Sequence, residues 1–152
     1  MPFSKKELEK FLEEPRLAHL ATTSRNGRPR VNAVWYAYQE GVFYFSTRTF
    51  RLKSHHIQSN PWIALSIATD DKPYRSVCAF GKAEIVKESR DVWLERISFR
   101  YGEEEGKKWV KTAVTQPDRV VLMLKPDRIL SWDYGRGDSS RQDKGESMAT
   151  RT

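Results

Sequence analysis

RLAHLATTSRNGRPRVNAVWYAYQEGVFYFST, residues 16–47, decides the fold. It holds three apolar stretches separated by two tight-turn signals. Residues 16–23 alternate well enough for a strand, and Asn26-Gly27 is the dipeptide a two-residue hairpin turn demands. Residues 30–38 are rich in β-branched and aromatic side chains and predict the return strand. Glu40-Gly41 then turns the chain into residues 42–47. Strands joined this closely pair antiparallel, because a parallel pair needs a crossover of about a dozen residues or more.

Working upstream, Ser4 and Glu7 form a capping box, and Leu8, Phe11 and Leu12 give a short helix its apolar stripe, stopped at Pro15. Downstream, residues 51–59 read as a crossover helix closed by Asn60-Pro61. Residues 62–68 and 75–86 are strands, with Gly81 a bulge or barrel bend in the second. Capping signals at Ser89, Arg90 and Asp91 open a helical region carrying Trp93, Ile97 and Tyr101. Gly102 or Gly106 breaks it, and a second short helix carries Trp109, Val110 and Val114. Residues 119–124 and 128–134 are the last strands. The expectation is a mainly β domain, a six- to seven-stranded antiparallel barrel with short helices, over residues 1–134. Residues 135–152 have Met148 and Ala149 as their only hydrophobic residues and read as a disordered polar tail.

The net charge of +7 over 152 residues favours an anionic partner, and the tail accounts for only +1 of it. The cations are interspersed with acids and apolar residues, so a nucleic-acid arm is not expected. A single cysteine, Cys78, excludes an internal disulfide and a multi-cysteine zinc site. No apolar run approaches bilayer length and the N-terminus lacks a signal core; a cytoplasmic protein without membrane contact is the expectation.

Residues 43–61, FYFSTRTFRLKSHHIQSNP, carry the chemistry. A strand ends in two hydroxyls, Ser46 and Thr47, and a basic cluster of Arg48, Arg51 and Lys53 follows at a helix start. Hydroxyls, backbone N–H groups and cations at a helix N-terminus suit a phosphate. The competing reading is a solvated basic helix face. Trp35 fits barrel core or a wall beside a bound ring. Adjacent His55 and His56 cannot face one point on a helix, so a metal pair is not expected. His19 reads as a hydrogen-bonded interior residue, Cys78 as a small buried hydrophobe, and Trp132 as a seal at the barrel end or a subunit seam.

The ordered set LATTSRNGRPRVNAVWYAY (20–38), FYFSTRTFRLKSHHIQSNP (43–61), RSVCAFGKAE (75–84) and RILSWDYG (128–135) resembles the pyridoxamine 5'-phosphate oxidase-like family, the flavin and deazaflavin split β-barrels. The resemblance implies a homodimer with cofactor at the subunit interface. It implies a ring-binding strand bearing Arg30, Asn32, Ala33, Val34 and Trp35, and a phosphate segment bearing Ser46, Thr47, Arg51 and Lys53. It also implies Arg75 and Ser76 reaching the site from the second subunit. Leu52 separates Arg51 from Lys53, a spacing that also occurs in deazaflavin-binding relatives, whereas the oxidases proper often carry adjacent Arg-Lys there. Ser76 stands where the oxidases carry a longer amide, and their C-terminal substrate-binding Arg and Trp are not clearly reproduced. The implied function is an FMN-dependent oxidoreductase passing hydride between the ring and a small planar substrate, with no obligatory protein acid or base. The alternatives are a reductase using the deazaflavin coenzyme F-420, a non-catalytic flavin-binding protein and, least favoured, a nucleic-acid-binding barrel.

Overall fold

The computed structural model describes residues 2–136; the expected tail beyond Arg136 lies outside them. The chain runs α1 (Lys5–Glu13), β1 (Ala18–Thr23), β2 (Pro29–Val34), β3 (Tyr36–Gln39), β4 (Val42–Arg48), α2 (Leu52–Ser59), β5 (Trp62–Ala68) and β6 (Arg75–Ile85). It continues as α3 (Arg90–Phe99), α4 (Glu103–Ala113), β7 (Arg119–Leu124) and β8 (Arg128–Asp133), and ends in a 3-10 turn, Tyr134–Arg136. The strands pair antiparallel in the order β2-β1-β5-β6-β7-β4-β3, with β8 also on β6. The two ends of that order, β2 and β3, are consecutive in the chain, so the sheet curls into a barrel.

The single return strand expected over residues 30–38 is therefore two strands. The break is at Trp35: β2 pairs with β1, whereas β3 pairs with β4. Composition alone hides such a break, because every residue around it is a good strand former. It raises the strand count to eight. Gly27 and Gly41 sit at φ +80° and +83°, which is why the two hairpins need glycine there. The sheet also changes neighbours within β6. Up to Phe80 this strand pairs with β8, and from Ala83 it pairs with β7. Gly81 lies at the changeover, where a Cβ would stand 2.9 Å from the Leu124 side chain, so the position is close-packed.

Alternation along the strands sends one face inward. Leu20, Tyr36, Phe43, Phe45, Leu65, Ile67, Val77 and Leu124 form the barrel core with Phe11 and Leu12 of α1. Each fully buried side chain of this size contributes roughly 1.5–3 kcal/mol. The capping box that opens α1 is formed, with Ser4 and Glu7 bonding each other's backbone. A second cluster lies outside the barrel: Leu94 and Ile97 of α3 and Ala113 of α4 pack with Ala37 and Val121. Here Tyr44 and Trp93 stack at 3.5 Å.

Some local expectations are corrected. Gly102, at φ +125°, separates α3 from α4, while Gly106 lies inside α4 against the Ser98 backbone. Ser89 precedes α3 in a left-handed conformation and makes no side-chain cap bond. His19 is exposed, not interior, because Ala18 and Leu20 take the inward register of β1. Cys78 is half-buried on the outer face of β6. Gly135 and Arg136, read with the tail, belong to the terminal turn: Gly135 N–H donates to Asp133, and Arg136 pairs with Glu7 and Asp133.

Candidate functional site

A cleft of about 260 Å³ opens where β4 ends and α2 begins. Its lining is Arg30 and Asn32 from β2, Ser46, Thr47 and Arg48 from β4, Arg51 from the connecting turn, Leu52 and Lys53 from α2, and Arg119 from β7. No Asp or Glu lines it.

The sequence builds this local arrangement in steps. The alternation of β4 buries Phe43, Phe45 and Thr47 and turns Ser46 and Arg48 the other way. After β4 the chain reverses in a tight turn in which the Arg51 N–H donates to the Arg48 carbonyl at 3.0 Å. Arg51 then starts α2 with an extended backbone and no side-chain cap, and the first turn of α2 has no acidic residue. Its N-terminal N–H groups are thus not taken by a capping side chain. At this end of a helix an anion is favoured. His56, one turn on, is buried with its Nδ1 3.1 Å from Thr22 Oγ1, which fixes α2 to β1; His55 is exposed.

Arg119 comes from a distant part of the chain. The β4–β7 ladder places Arg119 opposite Arg48. The Arg119 guanidinium donates to Ser46 Oγ at 3.2 Å and to Gln116 Oε1 at 2.7 Å, and lies 5.0 Å from the centre of the Trp109 ring. Ser46 in turn donates to the Val120 carbonyl at 3.0 Å. Behind these, Arg90 of α3 donates to the carbonyls of Val114, Gln116 and Arg119. The end of α4 and the start of β7 are thereby fixed together.

The charges differ in state. Arg48 is neutralised by Asp118 through two parallel bonds of 2.8 Å, and this holds the Asp118 carboxyl below the usual carboxylate range. Lys53 is half-buried; burial pushes its ammonium below the ordinary lysine value, and Arg51, Arg119 and Arg30 push it further. Burial likewise lowers Arg119, with Arg48 the next cause. Among the described residues no ion pair is formed by Arg30, Arg51, Lys53 or Arg119. Cations grouped in this way beside two hydroxyls make the cleft strongly electropositive, with Asp118 of the Arg48 pair also acting on Arg119.

Of the residues expected from the sequence, the cleft brings together Arg30, Asn32, Ser46, Thr47, Arg51 and Lys53. It does not include Ala33, Val34, Trp35, Arg75 or Ser76. Val34 is buried in the barrel core and Ala33 is exposed on the opposite face of β2. Trp35 turns toward the helices, stacked on Tyr101 at 4.8 Å and tilted against Trp109. Arg75 lies 5.4 Å over the Phe11 ring, and Ser76 is paired with Trp132 of β8. The basic cluster expected from the sequence also included Arg48, which lines the cleft; Leu52 and Arg119 were missed. No local signal marks Arg119; only the β4–β7 pairing makes it a neighbour of Ser46.

The outer face of the sheet adds a second feature. Cross-strand register aligns Ala33, His19, Ser66, Cys78 and Leu130 in one row, and Val31, Ala21, Ala64, Phe80 and Arg128 in the next. Small and apolar side chains dominate this surface, and Val31 is 61% exposed. Among the described residues no helix is long and apolar enough to cross a membrane.

Comparison with known proteins agrees with this architecture. The family model described as pyridoxamine 5'-phosphate oxidase matches residues 4–133. A conserved hypothetical protein from Mycobacterium tuberculosis is 28% identical, covering 87% of this chain and 86% of its own, with a TM-score of 0.72. An F-420 reductase is 30% identical, covering 80% of this chain and 94% of its own, with a TM-score of 0.64. The heme storage protein from Vibrio cholerae, at 16% identity, covers 85% of this chain and 93% of its own, with a TM-score of 0.66, and shares the fold alone. No curated protein sequence matches the chain.

Proposed function

The chain belongs to the pyridoxamine 5'-phosphate oxidase family, and from that premise we propose that it is an oxidoreductase that seats the phosphate of a flavin-type cofactor in the cleft at the start of α2. The observation that carries the reading is the set of cations Arg30, Arg51, Lys53 and Arg119 around Ser46 and Thr47, with no carboxylate in the cleft lining and no ion pair formed by them among the described residues. FMN meets this requirement. The deazaflavin coenzyme F-420 is the second reading, favoured by the 30% identity to an F-420 reductase and by the Arg51-Leu52-Lys53 spacing.

The residues fit the charged end of such a molecule. Arg51 and Lys53 offer charge-assisted donors, each such bond contributing about 1.5–3 kcal/mol when sheltered, and Ser46 and Thr47, whose hydroxyls now donate to the Val120 and Arg48 carbonyls, would turn toward the anion on binding. The cleft is smaller than the roughly 300–1,000 Å³ of sites that enclose a whole drug-sized ligand. It therefore takes the phosphate, and the ring lies outside it, along β2. When bound, the tricyclic ring supplies the hydride chemistry; the protein's part is to hold, orient and shield it.

We assign the cover over that ring to a second copy of the chain, packed on the outer sheet face that carries Val31, Ala33, Ala64 and Phe80. In this arrangement Arg75 and Ser76 act on the other copy's site, which accounts for their lying outside the cleft of their own chain. The decisive experiment is cofactor titration by absorbance, with FMN and with the deazaflavin, on the wild type and on R51A/K53A. The wild type binds one of them and is then reduced by a hydride donor or oxidised by a substrate. The double variant keeps its fold by circular dichroism and loses binding. Cofactor affinity retained in R51A/K53A refutes the phosphate site.

A further inference from the structure

A phosphate monoester carries about two negative charges at neutral pH. The cleft is lined by five cations, Arg30, Arg48, Arg51, Lys53 and Arg119, and among the described residues one carboxylate, Asp118, pairs with Arg48 and also acts on Arg119, so about four positive charges remain in excess. A surplus of this kind is unfavourable in the free protein. Lys53 and Arg119 both lie partly out of water, and each is acted on by other cations of the same cleft. Nor is Arg119 a solvated surface side chain. Gln116, Ser46 and the Trp109 ring hold it on three sides, and Arg90 holds its carbonyl. It is positioned before any ligand arrives. Arg30 reaches the same cleft from β2, at the far end of the strand order from β7. Both act on Lys53.

We propose that the cleft binds two adjacent anionic groups, not one, with Arg119 and Arg30 completing the second subsite beside the phosphate held by Ser46, Thr47, Arg51 and Lys53. This rests on the phosphate reading above and deepens it. The shared chemistry of the occupant is a phosphate continuing directly into a further anion, either a second phosphate or a carboxylate-bearing extension. Electrostatic complementarity then selects for a more highly charged cofactor over one ending in a single phosphate.

The test is calorimetric titration of the full chain, freed of cofactor, with inorganic phosphate and with pyrophosphate at one pH and one ionic strength. Pyrophosphate is expected to bind at least about tenfold more tightly, a difference of roughly 1.4 kcal/mol. In R119Q and in R30Q that preference falls to about twofold, while R119K keeps most of it. Arg30 is exposed, so R30Q leaves the core untouched even if R119Q disturbs β7. Equal affinity for the two anions in the wild type overturns the proposal, as does a preference that survives both charge-removing variants. Cofactor arms separate the sources: FAD bound more tightly than FMN assigns the second group to a diphosphate, and deazaflavin affinity that falls when its glutamate tail is removed assigns it to carboxylates. FMN binding without any pyrophosphate preference sinks the two-anion site and leaves the phosphate reading intact. A pyrophosphate preference with no cofactor binding keeps both anion subsites and sinks the flavin-type cofactor instead.

Discussion

The rings of Trp35 and Tyr101 stack face to face, 4.8 Å apart and within 4° of parallel. Tyr101 also accepts the Tyr36 N–H at 3.0 Å and donates to the Arg16 carbonyl at 2.6 Å. Arg100 adds bonds to the carbonyls of Tyr36 and Leu12. One dipeptide at the end of α3 therefore clamps the joint where β2 becomes β3. That joint sets where Arg30 and Asn32 stand relative to α2.

Tyr101→Phe keeps the stacking and removes the hydroxyl. The buried Tyr36 N–H then loses its acceptor, at an expected cost of about 1–3 kcal/mol. Burial raises the Tyr101 phenol to about 12. Its ordinary value is near 10. Between pH 10 and 12 the unfolded chain has lost this proton and the folded chain keeps it, so stability falls as pH rises through that window. Melting curves of wild type and Y101F from pH 8 to 11 check both statements: the two stabilities should converge as the wild type loses its advantage.

Lys53→Met is expected to act oppositely on stability and on binding. In the free protein, burial and neighbouring cations hold the Lys53 ammonium below its unfolded value of 10.5. Below its folded value the charged form is disfavoured in full. As pH rises from there to 10.5 the unfolded chain binds more protons than the folded one, so stability rises. K53M should therefore melt higher than wild type at pH 7, and the gap should close toward pH 10.5. A domain of this size moves roughly 2–4 °C per kcal/mol. The same variant should lose the melting-point increase that phosphate or cofactor gives the wild type.

Asp118→Asn should strengthen anion binding. It frees Arg48, which borders the cleft and is otherwise held by Asp118. The pair is partly exposed on both sides and screened by water, so its loss changes stability little. A several-fold fall in the phosphate Kd at low salt, shrinking as salt screens the added charge, is the expected titration result.

Gly106→Ala should destabilise, although Ala is normally the better helix residue by about 1 kcal/mol. A Cβ at position 106 would stand 2.7 Å from the Ser98 carbonyl oxygen, and backbone cannot swing aside. A loss of roughly 1–3 kcal/mol is expected from forcing α3 and α4 apart. Urea melts of G106A, read by tryptophan fluorescence beside Trp93 and Trp109, would show it; an unchanged midpoint would contradict the packing.

Val31→Asp tests the outer sheet face. Val31 is on an edge strand and 61% exposed, so a carboxylate there costs the isolated fold little. If a second copy covers this face, light scattering should show a dimeric wild type and a monomeric V31D. A wild type that is monomeric at micromolar concentration removes the proposed cover over the ring.

Much of this was legible in the chain. Asn26-Gly27 and Glu40-Gly41 marked both hairpins, because turns that need positive φ advertise themselves through glycine. One wall of the cleft was legible because hydroxyls and cations cluster within eight residues, from Ser46 to Lys53. The break at Trp35 was not, since no turn residue accompanies it; it arises from curling of the sheet. Arg119 was not either. Its relation to Ser46 spans 73 positions and exists only through strand pairing. His19 was misread for a simpler cause: its alternation with apolar residues fixed the period but not which phase faces inward.

Strand β6 is common property of both halves of the barrel, joined to β5 and β8 along its first part and to β7 past Gly81. Neither half can melt by itself while this strand stays whole. Heat or denaturant should consequently dissolve the molecule in a single cooperative step, and the amides from Val77 to Ile85 should be the last to exchange with heavy water.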